Sequence, residues 1–311
     1  MFASPPVIKT EVFASLPQRY CKRDTRPEWL RIQRRGHPMS SFLEGPSFDR
    51  EGNLFLVDIP YGRIFRVSPD GEFELVAEYD GEPNGLKFHR DGQALIADHK
   101  NGIMVLDPGT GKVEPYCDRA ALERFKGVND LIFSGNGDLY FTDQGQTGLQ
   151  DPTGRLYRLN CDGTLDCLLN NIPSPNGLVL AHHDATVLLA VTRANAVWRV
   201  PLMLDGWPSK VGTFISLSGG VGPDGLALDV EGNLAVCHAG LGVVWLFNPL
   251  GEPIARIQSC AGVMVTNCAF GGANGKSLFI TESETGTILR AELPCAGRPM
   301  FSHRDDRDAN N

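Results

Sequence analysis

One motif recurs six times along the chain and leaves few folds open to it. Its first copy reads Glu44-Gly-Pro-Ser-Phe-Asp-Arg-Glu-Gly-Asn-Leu-Phe-Leu-Val-Asp58: a short apolar run, a Gly turn and a second apolar run. The second runs from Asn84-Gly-Leu-Lys-Phe to Asp98, the third from Asn129-Asp-Leu-Ile-Phe to Asp143, and the fifth from Asp224-Gly-Leu-Ala-Leu to His238. The fourth opens at Asn176-Gly-Leu with a weaker turn at His183-Asp184, and the sixth runs from Asn267-Cys-Ala-Phe to Glu282. The heads stand at 44, 84, 129, 176, 224 and 267, so successive copies lie 40, 45, 47, 48 and 43 residues apart. Two more alternating segments follow each clear copy, as in Arg63-Ile-Phe-Arg-Val, Pro69-Asp-Gly and Phe73-Glu-Leu-Val, or Arg155-Leu-Tyr-Arg-Leu, Cys161-Asp-Gly and Leu165-Asp-Cys-Leu-Leu. Four antiparallel strands at such a period make a propeller blade. The sequence therefore predicts an all-β, six-bladed β-propeller, one domain over residues 1–311. The last copy is short of one strand before Pro294, and the run from Ile8 to Ala14 is expected to close the ring by supplying it, which also removes an open sheet edge.

Composition agrees with that architecture. Hydrophobic residues form 42% of the 311, enough for a large core, and 35 Gly and 21 Pro are spread along the chain as many short turns require. The formal net charge is −8 and the one basic run, Arg31 to Arg35, sits between Pro27 and Pro38, so nucleic acid is not an expected partner. No stretch approaches the ~18 apolar residues of a membrane span, and Met1 to Thr10 lacks a basic segment followed by an apolar one. No membrane association and a cytoplasmic location are expected. Eight cysteines without CxxC or finger spacing read as reduced, mostly structural thiols. Cys167 is expected roughly opposite Arg158 across the Cys161-Asp-Gly turn, and residues 302–311 are expected to form a disordered tail.

Propeller topology aims particular residues at one another. The head of the innermost strand and the end of the second strand lie on the same face of the ring. The six heads, Glu44, Asn84, Asn129, Asn176, Asp224 and Asn267, all carry a side-chain oxygen. Around one channel mouth they form a ring of hard donors, which suits Ca2+, Mg2+ or Mn2+ better than Zn2+. Asn-Gly and Asp-Gly are also strong turn signals. Glu44 argues for the ring, because Glu is a poor turn former. The loops after the second strands offer Asp58, His99, Asp143, Gln144, Arg193, His238 and Glu282 as an outer wall. His238, in the Asp224 blade, is the expected substrate contact among them, with Asn84 and Asn129 beside the axis.

Glu44-Gly-Pro, Val128-Asn-Asp130, Ser174-Pro-Asn-Gly177 and Pro223-Asp-Gly225 stand in order at the heads of blades. As a set they resemble the senescence marker protein-30/gluconolactonase family, which also includes a drug-responsive lactonase and diisopropylfluorophosphatase. The resemblance covers residues 44 to about 290. It implies one divalent metal, most often Ca2+, with Mg2+, Mn2+ or Zn2+ as alternatives, held by Glu44, Asn129, Asn176 and Asp224. It implies that Asp224 is also the general base, that Asn129 lies beside the substrate, and that a small-molecule lactone is opened to a hydroxy acid. A calcium-binding regulatory or scaffold propeller, or a phosphotriesterase, would share the ring. Two departures stand out. Animal aldonolactonases of the family hold the sugar with an Arg at the position of Gly127, and the segment from Tyr20 to Phe42 is long. That segment carries Trp29, Arg31, Arg34, Arg35 and His37 and must reach Glu44 at the axis. It is expected to form a lid whose cations replace the missing Arg and favour a carboxylated lactone.

Overall fold

The computed structural model describes residues 4–22 and 27–304. Six blades of four antiparallel strands stand around an axis, the fifth carrying one added strand on its rim. Their innermost strands are Leu43–Phe48, Pro83–Phe88, Val128–Phe133, Pro175–Ala181, Gly222–Leu228 and Val265–Gly271. Each packs on the next, and the sixth on the first, so the ring is closed. Both faces of every blade are therefore covered, and strands such as Leu54–Asp58 and Thr186–Val191 are buried at every position rather than at alternate ones. Six apolar clusters fill the six spaces between neighbouring blades, for example Phe55, Ile64, Leu86 and Ile96 between the first and second. This division follows from the repeat, since a single blade cannot bury its own faces.

The N-terminal chain closes the ring, with one difference from expectation. Glu11–Ser15 pairs antiparallel with Thr287–Glu292 as the outer strand of the sixth blade. Ile8 and Lys9 do not join it. Val7–Lys9 pairs parallel with Pro253–Gln258 on the rim of the fifth blade. Thr10 makes the crossing, giving its N–H and hydroxyl to the Gln258 carbonyl. The terminus thus fastens two blades instead of one.

The other end of the chain crosses the face opposite the heads. Arg298 donates to the Leu180 carbonyl and to Asp184, Phe301 stacks on Phe133, and the His303 ring meets the Asp49 carbonyl at 3.0 Å. Residues 302–304 therefore belong to the packed body and not to a tail; residues 305–311 lie outside the described ones. Cys167 stands opposite Tyr157, one position from Arg158, and all eight cysteines are thiols. Among the described residues no helix is long and apolar enough to cross a membrane.

The heads are not turns. Each lies inside its innermost strand, at or beside a β-bulge that recurs in all six blades. A bulge breaks the strict alternation of side chains and re-aims them, here toward the axis. The Gly that follows most heads answers to crowding. A Cβ on Gly177 would stand 2.4 Å from the Asp224 carbonyl oxygen, and one on Gly45 would stand 2.5 Å from that of Asn84. Gly85 and Gly225 are pressed in the same way against the third and sixth blades. Near the axis the strands are too close for side chains pointing sideways.

Candidate functional site

Glu44, Asn84, Asn129, Asn176 and Asp224 all line one cavity of about 570 Å3 at the channel mouth. Asn267, the sixth head, is not among its lining residues. Its amide nitrogen donates to Glu44 Oε2 at 3.0 Å and lies 3.4 Å from Asp130 Oδ2, and its Oδ1 accepts the Cys268 N–H at 2.9 Å. Asn267 is therefore a brace under Glu44. The Gly45 N–H also donates to Glu44 Oε2, at 2.7 Å. That oxygen is thus held twice, which fixes the carboxylate at the cavity wall.

Asn129 is held from the outside. Its amide nitrogen donates to Gln144 Oε1 at 3.0 Å, and Gln144 in turn donates to the Ser174 hydroxyl at 3.0 Å. This commits the nitrogen of Asn129 and leaves its carbonyl oxygen as the free donor.

The electrostatics of the group are unfavourable without a cation. Burial pushes the Glu44 carboxyl up to about 7, with the Asp130 charge adding to it and the Gly45 and Asn267 hydrogen bonds working against it. Asp224 is driven well above the ordinary carboxylate range, first by burial and then by the charges of Glu44 and Asp130; Asn176 and Arg193 oppose the shift. Asp130, next to Asn129, is itself raised by burial. Three acids thus share a space in which none ionises easily. Asp130 was not singled out in the sequence, although it occupies the place where most blades have Gly.

This donor set fits a hard divalent ion. Among the described residues no group of three or more His, Cys, Asp or Glu has the geometry of a metal site. A cation here would be held by two carboxylates, Glu44 and Asp224, and the amide oxygens of Asn129 and Asn176. Such all-oxygen sets suit Ca2+, Mg2+ or Mn2+.

The outer wall divides by register. Asp58, Asp98, Asp143 and His238 lie fourteen residues after their heads, at the end of the second strand. The carboxylates among them are fold staples. Asp58 accepts from Phe42 N and Arg63, Asp98 from Glu82 N and Tyr79, and Asp143 from Gly127 N and Arg155. Glu282 does the same for Met264 N. His238 is also turned away from the cavity lining. One ring nitrogen meets the Gly219 carbonyl at 3.0 Å and the other accepts from Trp245 at 3.2 Å. Ile59, His99 and Gln144, one position later, do line the cavity, and Arg193 joins them from the fourth blade.

The long segment before Glu44 lies across this mouth. Glu28–Gln33 is a short helix, with Trp29 7% and Leu30 1% exposed in a cluster with Phe42, Ile59, Ala239 and Met264. Trp29, Gln33, Arg34 and Phe42 line the cavity. Of the cations expected to face it, only Arg34 is among the lining residues, and it is paired with Glu284 at 2.8 Å. Arg31 pairs with Glu28 in solvent, and Arg35 and His37 border a separate surface hollow.

Residues 42–284 match the family model described as SMP-30/Gluconolactonase/LRE-like region. The chain belongs to this family. Among its relatives, the lactonase drp35 of Staphylococcus aureus is 31% identical over 246 residues, 75% of this chain and 73% of that one. The gluconolactonase of Zymomonas mobilis is 30% identical over 281 residues, 80% and 78% of the two chains. The solved structure of a calcium-binding regucalcin from Agrobacterium tumefaciens superposes with a TM-score of 0.77 at 22% identity, covering 97% of this chain and 100% of that one. In this SMP-30/gluconolactonase member the matched region begins two residues before Glu44 and ends two after Glu282, so it holds all six heads. The helical segment from Glu28 lies outside it.

Proposed function

We propose that this protein is a metal-dependent hydrolase that opens a lactone to a hydroxy acid. One observation carries the reading: two carboxylates that burial and mutual repulsion keep from ionising face one cavity together with two amide oxygens. The relatives named lactonase and gluconolactonase support the reaction class, and the calcium-binding neighbour supports Ca2+ in the site. A calcium store needs donors but no cavity. Here the donors open onto about 570 Å3 of space beneath a helical segment, as turnover of a small molecule requires. A cytoplasmic location, with no nucleic-acid or membrane partner, completes the reading.

Glu44, Asn129, Asn176 and Asp224 would hold one divalent ion, which would supply Lewis acidity toward the lactone carbonyl. Glu44, fixed through one oxygen by Gly45 and Asn267, supplies charge without moving. Asp224 accepts a proton as water adds to the carbonyl carbon. When the ring C–O bond breaks, that proton goes to the departing ring oxygen, leaving a hydroxy acid. Asp224 acts as a base only while ionised, and a nearby cation keeps it a weak one. It is adequate for an activated ester and poor for an amide. Asn84 and Asn129 offer polar contacts to the substrate at the axis.

Glu44→Gln keeps the shape of the brace but removes one charge from the site. The variant is expected to bind Ca2+ more weakly and to regain part of its activity in excess Ca2+, as measured by a metal titration of the rate. Activity that stays at one level from trace to millimolar Ca2+ would remove Glu44 from the ligand set.

The segment over the mouth acts in this reading as a lid. Trp29→Ala should raise KM on the best lactone and leave kcat nearly in place, since Trp29 borders the cavity and touches none of the acid groups. An unchanged KM would make the segment a linker only. A point substitution is the cleaner test, because deleting residues 22–38 would also uncover the apolar cluster around Leu30.

A further inference from the structure

The cavity holds one histidine whose position the reaction does not explain. His99 follows the second strand of the second blade, and its backbone N–H is anchored to the Glu82 carbonyl at 2.9 Å. Its ring faces the same cavity as Asn129 and Gln144. Among the described residues neither ring nitrogen has a hydrogen-bond partner. His238 and His303, by contrast, spend both of theirs on protein groups. Half-buried at the cavity wall, the His99 imidazole therefore keeps both nitrogens for whatever enters the cavity.

The neighbouring chain is shaped to admit this ring. A Cβ on Gly127 would stand 2.3 Å from His99 Cε1 and 2.5 Å from Nδ1. Gly127 cannot shift to make room. Its N–H is held by Asp143 Oδ1 at 2.8 Å, and its carbonyl accepts from the N–H groups of Gln144 and Gly145. Any side chain at 127 would displace the imidazole. The position is bare for two reasons: its φ of +151° favours glycine, and His99 occupies the space beside it.

The chemistry of the ring indicates what it would meet. Burial holds the His99 imidazole below its ordinary range, with Asp98 and Asp143 only partly offsetting this. At neutral pH the ring is uncharged and offers one donor and one acceptor. That pair matches a hydroxyl group, which also both donates and accepts; a carboxylate would use only the donor.

We propose that His99 is a specificity-determining residue that, seated over Gly127, hydrogen-bonds a hydroxyl substituent on the lactone ring from the cavity side. The proposal rests on the lactone-hydrolase reading above. It places a hydroxyl-bearing edge of the lactone against the second and third blades. His99 positions and selects substrate and takes no part in proton transfer, so its loss is felt only by substrates that carry the hydroxyl.

The test compares gluconolactone with unsubstituted δ-valerolactone in a pH-indicator assay on the Ca2+-loaded protein. His99→Ala is expected to lower kcat/KM on gluconolactone about tenfold, mostly through KM, and to leave δ-valerolactone within about twofold of wild type. His99→Gln, which keeps a donor and an acceptor, should recover part of the loss. Gly127→Ala should reproduce the loss on gluconolactone by pushing the ring aside; because Gly127 sits at a φ of +151° that favours glycine, the variant's melting temperature is measured alongside to separate backbone strain from the displaced ring. Equal losses on both lactones would place His99 in the chemistry or the scaffold and overturn the proposal. No loss on either would overturn it as well. Wild-type protein that opens neither lactone would overturn the hydrolase reading, and this proposal with it.

Discussion

Asp224→Asn is expected to lower kcat by on the order of 10²-fold or more, the usual scale for a general base, in a protein that remains folded. The substitution keeps a side-chain oxygen toward the site and nearly the same volume, but removes the charge and the proton acceptor. Burial and the charges of Glu44 and Asp130 drive Asp224 well above the ordinary carboxylate range. Relieving that repulsion should raise the melting temperature of the metal-free protein while activity falls. Opposite movements of stability and rate are the mark of a group kept in a strained place for function. Steady-state kinetics at saturating Ca2+, together with thermal unfolding in chelator, measure both. Wild-type kcat in the variant would show that another group takes the proton.

Removal of metal is expected to have a comparable effect. Chelation should abolish hydrolysis, and Ca2+, Mg2+ or Mn2+ should restore it to different extents. The same ions should stabilise the fold, because the four donors are assembled only when all six blades have closed. A ligand that binds only the folded state contributes about 2.7 kcal/mol at 100 times its Kd. Glu44 and Asp224 come from the first and fifth blades, so at a fixed Ca2+ concentration the stabilisation should shrink in Glu44→Gln and Asp224→Asn alike. A melting temperature indifferent to Ca2+ would argue that these acids do not hold an ion.

The fold was legible because a propeller writes its period into the chain. Six heads at nearly even spacing determine the blade count, and turn residues between apolar runs determine the strands. The heads themselves were ambiguous: Asn84-Gly and Asp224-Gly carry the signature of a turn, whereas the structure places them in strands beside bulges. What distinguishes the two is the approach of neighbouring blades at the axis, a tertiary fact that no local window contains. The same limit explains the histidines. His238 and His99 differ by one step of register relative to their heads, and in a strand one step reverses the face. His238 stays in the ladder opposite Val243 and turns to Trp245, whereas His99 lies just beyond it and leans over Gly127. Spacing alone gave no reason to prefer the fifteenth residue over the fourteenth. Asn267 shows the converse, since a head that looks like a ligand is spent bracing Glu44.

The most direct measurement is ester hydrolysis by protein whose metal content has been determined by elemental analysis, over a panel of lactones and one phosphotriester. Turnover of at least one lactone by the Ca2+-loaded protein is expected, with its loss in the metal-free preparation and its return when Ca2+ is added back. Full lactone turnover without metal, or cleavage of the phosphotriester alone, would contradict a metal-dependent lactone hydrolase.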